Sequence, residues 1–288
     1  MKTRIITSLV GIPILFLALY FYQTFFFNIL IAAICMIAFY EIISAFKVKN
    51  AFWLYLAIVP MELILLFSDR NSFRRFVPLI LFLFIVYIAV CVIFEFKELT
   101  FAQVSEVILF CGIVMFGFYS IISFKILFPF NEYHYDALYL ILLGFSFAWG
   151  GDSAAYFTGR ALGKHKLAPK VSPNKTVEGA VGGVVGSMAL GCLFTWLYSL
   201  LLPVVEGPSA AATIDARCYL LVCGVGAVAS VLGILGDLFT SAIKRQCGIK
   251  DYGSIFPGHG GILDRFDSVL LVMPFVSLVS RVLPFITR

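Results

Sequence analysis

Polar positions break this chain into a series of long apolar runs. Within each run Leu, Ile, Val and Phe follow one another with few charges, and the breaks between runs are short. Taking ~20 apolar residues per membrane crossing, the pattern predicts nine helices, over 5–22, 25–46, 51–68, 76–95, 104–127, 137–158, 177–202, 217–243 and 266–286. The fold class expected is all-α, a polytopic integral membrane protein. The run from Ile5 follows a short basic start, as a secretory leader would. It continues into the second run with only a brief break near Tyr22 to Thr24, so it reads as a retained span.

Two of the polar breaks are longer and richer than the rest. The first, Trp149 to Gly183, carries Asp152 late in an apolar run, then Tyr156 and Arg160 at successive helical offsets. An ionised group near the bilayer centre costs roughly 2.5–3.5 kcal/mol on insertion scales, which favours a functional role for Asp152. Ser172 reads as a helix N-cap with Pro173 at the first helical position, which would direct unpaired backbone N–H groups and Lys175 at an anion. Glu178 is placed either to pair locally with Lys175 or to reach a metal. The second break runs from Ser241 to Ser268. Asp237, Thr240, Ser241 and Lys244 share one helical face leading into it, and Asp264, Asp267 and Ser268 repeat that spacing on the way out. Between them Gly258, Gly260 and Gly261 bracket His259.

Composition narrows the class. The chain has 288 residues, 61% of them apolar and 13% charged, with a mean hydropathy of +1.02. A soluble globular domain is excluded. By chain order it divides into N-terminal spans over 1–100, middle spans over 101–148 and a C-terminal region over 149–288 that holds both polar breaks. A net charge of +5 suits anionic headgroups and phosphates better than nucleic acid. Under nine spans, the bases of both polar breaks fall on one face with Lys2, Arg4, Lys47, Lys49 and Lys97, which the positive-inside rule makes cytoplasmic; Arg70, Arg74 and Arg75 lie opposite. Seven cysteines without a CxxC pair read as reduced packing residues, with Cys247 alone in the key loop. Gly179 with Gly183, Gly182 with Gly186, and Gly226 with Ser230 give small-xxx-small spacings that suit close packing, either near a site or between subunits.

Carboxylates on helix ends around a glycine-rich basic loop suit a divalent cation and phosphates. The bland alternative is a set of structural ion pairs between helices. His259 serves either to fix the loop, to hydrogen-bond a phosphate, or to move a proton.

The residues Ser241, Lys244-Arg245, Lys250-Asp251, Gly253, Phe256-Pro257, His259-Gly260-Gly261 and Asp264-Arg265-x-Asp267 resemble the signature of the phosphatidate cytidylyltransferases, or CDP-diglyceride synthetases. Trp149 to Gly183 is similar to the family's second recognisable segment, and the first five spans match only in hydrophobic character. The resemblance implies transfer of CMP from CTP to phosphatidic acid, giving CDP-diacylglycerol and pyrophosphate at the bilayer. It implies Mg²⁺ held by Asp237 and Asp264 with Asp267 and Asp152 in support, and it leaves room for a second cation such as K⁺. Lys244, Arg245, Lys250 and Arg265 are then expected to neutralise phosphate oxygens. Lys170 and Lys175 fall to the lipid phosphate, and Ser241, Gly260 and Gly261 to substrate contact. It also implies a homodimer whose site opens to the cytoplasm. Three competing readings are a CTP-dependent lipid kinase, which would release CDP, a transporter, which would spread its charges over several helices at midplane, and a purely structural membrane subunit.

Overall fold

A computed structural model describes residues 13, 17–48, 51–95, 100–206, 212–255 and 260–287. The chain is mostly helical and divides into two compact units, neither of them continuous. The first comprises residues 1–123 and 246–265, the second 124–245 and 266–288, so the units cut across the three regions drawn by chain order.

In the first unit, α1 (Phe25–Ala45) packs on α2 (Phe52–Phe67), and α2 packs on α3 (Val77–Phe94). The long α4 (Phe101–Leu127) has all but its last turn in this unit. Phe39 and Ile42 of α1, Leu54 and Leu65 of α2 and Phe118 and Ile121 of α4 are fully buried. Polar links fix the pairing in an apolar setting: the Asn28 amide donates to the Leu66 carbonyl (3.0 Å), and the Trp53 indole N–H donates to Glu95 (2.8 Å). The face of α3 is apolar and open, with Leu79, Phe82, Ile85 and Ile93 exposed, as a surface against acyl chains would be.

In the second unit, α5 (Asp136–Phe145) runs through one π-helical turn, Ser146–Gly150, into α6 (Gly151–Leu162). A two-stranded hairpin follows, β1 (Lys166–Ala168) paired antiparallel with β2 (Ser172–Thr176). Then come α7 (Val177–Glu206), α8 (Ala216–Gln246) and α9 (Val269–Ser280). The small-residue spacings act within the chain: a Cβ at Gly182 would overlap Thr158, and one at Gly186 would overlap Ala154, so α6 and α7 approach nearly to backbone contact.

Among the described residues, six helices are long and apolar enough to cross a membrane: Phe25–Ala45, Val77–Phe94, Phe101–Leu127, Asp136–Leu162, Val177–Val204 and Ala216–Gln246. Phe52–Phe67 and Val269–Ser280 are apolar but shorter. The chain is thus a polytopic membrane protein, although nine spans are not confirmed. The expected span 5–22 falls largely outside the described residues. The span expected over 266–286 is interrupted, because Leu263–Phe266 forms a separate turn, Asp267 accepts the Ser268 N–H on its side chain (2.9 Å), and regular helix starts only at Val269.

The start of α7 also differs from expectation. Ser172 is not its cap, and Pro173 lies in β2. Proline suits the edge of a two-stranded ribbon as well as it suits a first helical turn, and pairing of Ala168 with Ser172 and Lys166 with Thr176 decides between them. Thr176 is the cap instead, its hydroxyl accepting the Gly179 N–H (3.1 Å).

Candidate functional site

The second unit holds the charges of the first polar break together with Asp237, Lys244, Arg245 and Asp267. Asp237 lies on α8 nine residues before its end, about 14 Å at 1.5 Å per residue. Lys175, on the last residue but one of β2, reaches across to it, with Nζ 2.5 Å from Oδ2. The hairpin makes this possible, since β2 packs on both α6 and α7 and carries Lys175 with it. Ser241, one turn further along α8, donates to Asp237 Oδ1 (3.1 Å), so both carboxylate oxygens are oriented. Gly236 has no room for a side chain beside the Asp267 carbonyl, and this close approach brings Asp267 against α8.

Asp267 lies within electrostatic reach of Asp237, Asp152 and Lys244. It precedes α9, outside the spans, and its carboxyl is raised well above the usual range, first by burial and then by the charges of Asp237 and Asp152. Lys244 and the Ser268 N–H pull it the other way. Three carboxylates in one half-buried neighbourhood repel one another, and that repulsion is relieved by cations. Among the described residues no three acidic, histidine or cysteine side chains converge as a metal cage. This donor set fits Mg²⁺, which binds through one or two carboxylates and completes its shell with water and substrate phosphates.

The π turn that leads into Asp152 is a further feature of this unit. A π turn leaves a backbone carbonyl out of the regular ladder, and Ser187 of α7 donates to the Phe147 carbonyl there (2.9 Å). Asp152 therefore starts α6 from a point pinned to α7. Glu178 does not pair with Lys175. It accepts the backbone N–H groups of Lys164 (3.0 Å) and His165 (3.2 Å) and contacts the His165 ring (2.6 Å), which clamps the hairpin onto the start of α7. Arg245 donates from Nε to the Val171 carbonyl (3.4 Å) in the hairpin turn, next to the exposed Lys170.

The glycine-rich loop belongs to the first unit, and with it Lys250, Asp264 and Arg265. Asp264 Oδ2 accepts the N–H groups of Tyr252 (2.8 Å) and Gly261 (3.0 Å), drawing the two ends of the loop together. Gly260 sits at φ +84°, where a side chain would be strained and would press on Asp264. Lys250 and Arg265 are exposed. His259, with Phe256, Pro257 and Gly258, lies outside the described residues, as do Lys2, Arg4, Lys49 and Lys97.

The cytidylyltransferase family model matches residues 2–283, nearly the whole chain. The chain belongs to the cytidylyltransferase family. A phosphatidate cytidylyltransferase of Bacillus subtilis is 34% identical over 285 residues, covering 96% of each chain. One from Staphylococcus haemolyticus is 38% identical over 186 residues, 65% of this chain and 60% of its own length. Another, from Staphylococcus epidermidis, is 43% identical over 150 residues, 52% of each. The family match spans the apolar first half as well as the two polar breaks. In that half lies a residue the sequence reading passed over: Glu41, in α1, is 2% exposed and accepts the N–H groups of Ile262 and Leu263 at 2.9 Å each. An ionisable residue inside an apolar span is the signal that marks it.

Proposed function

We propose that this chain transfers CMP from CTP to phosphatidic acid, releasing pyrophosphate and leaving CDP-diacylglycerol in the bilayer. The observation that carries the reading is the Lys175–Asp237 pair with Asp152, Asp267 and Lys244 around it, in a chain of the cytidylyltransferase family. The lipid phosphate is a monoester whose second pKa lies near ~6, so most of it is dianionic at neutral pH and ready to attack. Proton abstraction is then a small part of the task. Bringing two polyanions together is the large part.

Lys175 and Lys244 supply fixed positive charge beside the carboxylates and neutralise phosphate oxygens, and Arg245 offers a planar fork for the same purpose. Ser241 orients Asp237. Asp237 with Asp152 and Asp267 would hold Mg²⁺, which would supply charge neutralisation to the nucleotide phosphates. By the family resemblance Lys250 and Arg265 are phosphate contacts as well, and Asp264 shapes the loop that carries them. The orientation expected from the basic residues places the site on the cytoplasmic side, where CTP is, and a dimer is part of the same reading. Clustering of the charges on a few neighbouring elements favours this reaction over transport, for which charge on several helices would be needed.

The test incubates purified protein in detergent micelles with phosphatidic acid, α-labelled CTP and Mg²⁺. Label passes into a chloroform-soluble product with one pyrophosphate per turnover, and Asp237→Asn abolishes it. Label released instead as free CDP, with γ-label in the lipid, replaces the reading with a lipid kinase.

A further inference from the structure

Glu41 is far from the signature in sequence and close to it in the fold. Its carboxylate takes one backbone N–H on each oxygen, Ile262 on Oε1 and Leu263 on Oε2, both at 2.9 Å. Glycines on both limbs of the loop make space for it: a Cβ at Gly253 would come 2.8 Å from Glu41 Cδ, and one at Gly261 would come 2.6 Å from the same atom. Asp264 performs the complementary closure, holding Tyr252 and Gly261. Two carboxylates therefore fold the same short segment, one from within it and one from α1. All these groups belong to the first unit.

We propose that Glu41 is a positioning residue for the reaction: its carboxylate anchors Ile262 and Leu263 and so sets the geometry of the Gly260–Arg265 segment. A carboxylate is acceptor-only on both oxygens and matches two N–H donors. A carboxamide of the same shape matches one and turns an NH₂ toward the other, leaving a buried donor unpaired. The two glycines at 253 and 261 thus serve the anchor rather than a substrate. This inference rests on the cytidylyltransferase reading for its effect on turnover, but the anchor itself is tested without turnover.

The experiment compares wild type with Glu41→Gln and Glu41→Ala as full-length protein in the same micelles. Hydrogen exchange is expected to accelerate about tenfold or more in Glu41→Gln at whichever of the Ile262 and Leu263 amides faces the carboxamide NH₂, with amides of α2 unchanged. In the transfer assay kcat falls about tenfold to a hundredfold, because small misplacements of reacting groups cost that much. The KM for CTP stays within about threefold, since the loop keeps its basic residues. The Glu41→Gln melting transition remains cooperative, which separates positioning from collapse if Glu41→Ala fails to fold. Unchanged exchange at Ile262 and Leu263 overturns the anchor. Faster exchange with kcat within about twofold of wild type overturns the positioning role. A wild-type protein that labels no lipid defeats the assigned reaction and, with it, the role in turnover, while the exchange result still decides the anchor.

Discussion

Replacing Lys175 by Met removes the ammonium from the Asp237 pair and keeps most of the unbranched stem. The two side chains are 23% and 25% exposed, with the charged atoms 2.5 Å apart. At an effective dielectric of 20, unit charges 4 Å apart attract by ~4 kcal/mol. Desolvation and partial solvent access reduce the net value of such a charge-assisted contact to about 1.5–3 kcal/mol. If Lys175 makes a contact of that kind with a phosphate oxygen in the transition state, Lys175→Met lowers kcat/KM for CTP roughly 10- to 150-fold, at 1.36 kcal/mol per decade. The assay is label transfer from α-labelled CTP to phosphatidic acid, with a thermal melt run beside it. The melt is needed because the substitution also leaves Asp237 next to Asp152 and Asp267 without that counter-charge. A variant that melts lower, yet turns over CTP within about twofold of wild type per folded molecule, refutes the reasoning and reduces the pair to a helix tie.

Gly186→Val forces a branched side chain into Ala154; overpacking of this kind costs about 1–3 kcal/mol, read as a lowered melting transition in detergent, and an unchanged transition would deny the close α6–α7 approach. Thr176→Ala removes the α7 cap and costs ~1 kcal/mol by the same measurement, whereas Thr176→Ser, which keeps the hydroxyl, recovers most of it. Chelation of divalent cations stops label transfer and added Mg²⁺ restores it; transfer that persists after exhaustive chelation removes the metal from the proposal.

The helices of this protein were legible because lipid exposure imposes a coarse rule: an apolar run long enough to cross is a helix. Close packing of α7 was legible in Gly179, Gly182, Gly183 and Gly186, but its partner was not: the spacings left a site or a subunit contact open, and the fold sets them against α6. Asp152 and Asp237 stood out as charges at the ends of apolar runs and Lys175 as a base beside an expected helix start, and the fold brings all three into one unit. Where two local readings were equally good, the sequence could not choose. Ser172-Pro173 suits a helix start or a strand edge, and only the partner strand decides. Ser241 reads as a substrate contact, and the fold adds to that a hydrogen bond to Asp237 one helix turn back. Glu178 found its partners in Lys164 and His165 because the hairpin folds back over the start of α7, a geometry absent from any helical offset. Glu41 carried a signal, an ionisable residue in an apolar span, but its partners are backbone groups that no pattern marks.

The separation between Glu41 and its first partner is 221 residues. Ribosomes add ~5–20 residues per second, so α1 is in the membrane on the order of ten to forty seconds before Ile262 exists. During that interval the carboxylate has neither backbone donor. A lone acidic group in an apolar helix is tolerated near the lipid surface and poorly at depth, and Glu41 stands only four residues before the end of α1. The nascent chain can therefore wait with this group at the headgroup level, and completion of the first unit is deferred to the final tenth of synthesis. Truncation anywhere before residue 262 would leave a set of inserted helices in which Glu41 has neither of its two backbone donors.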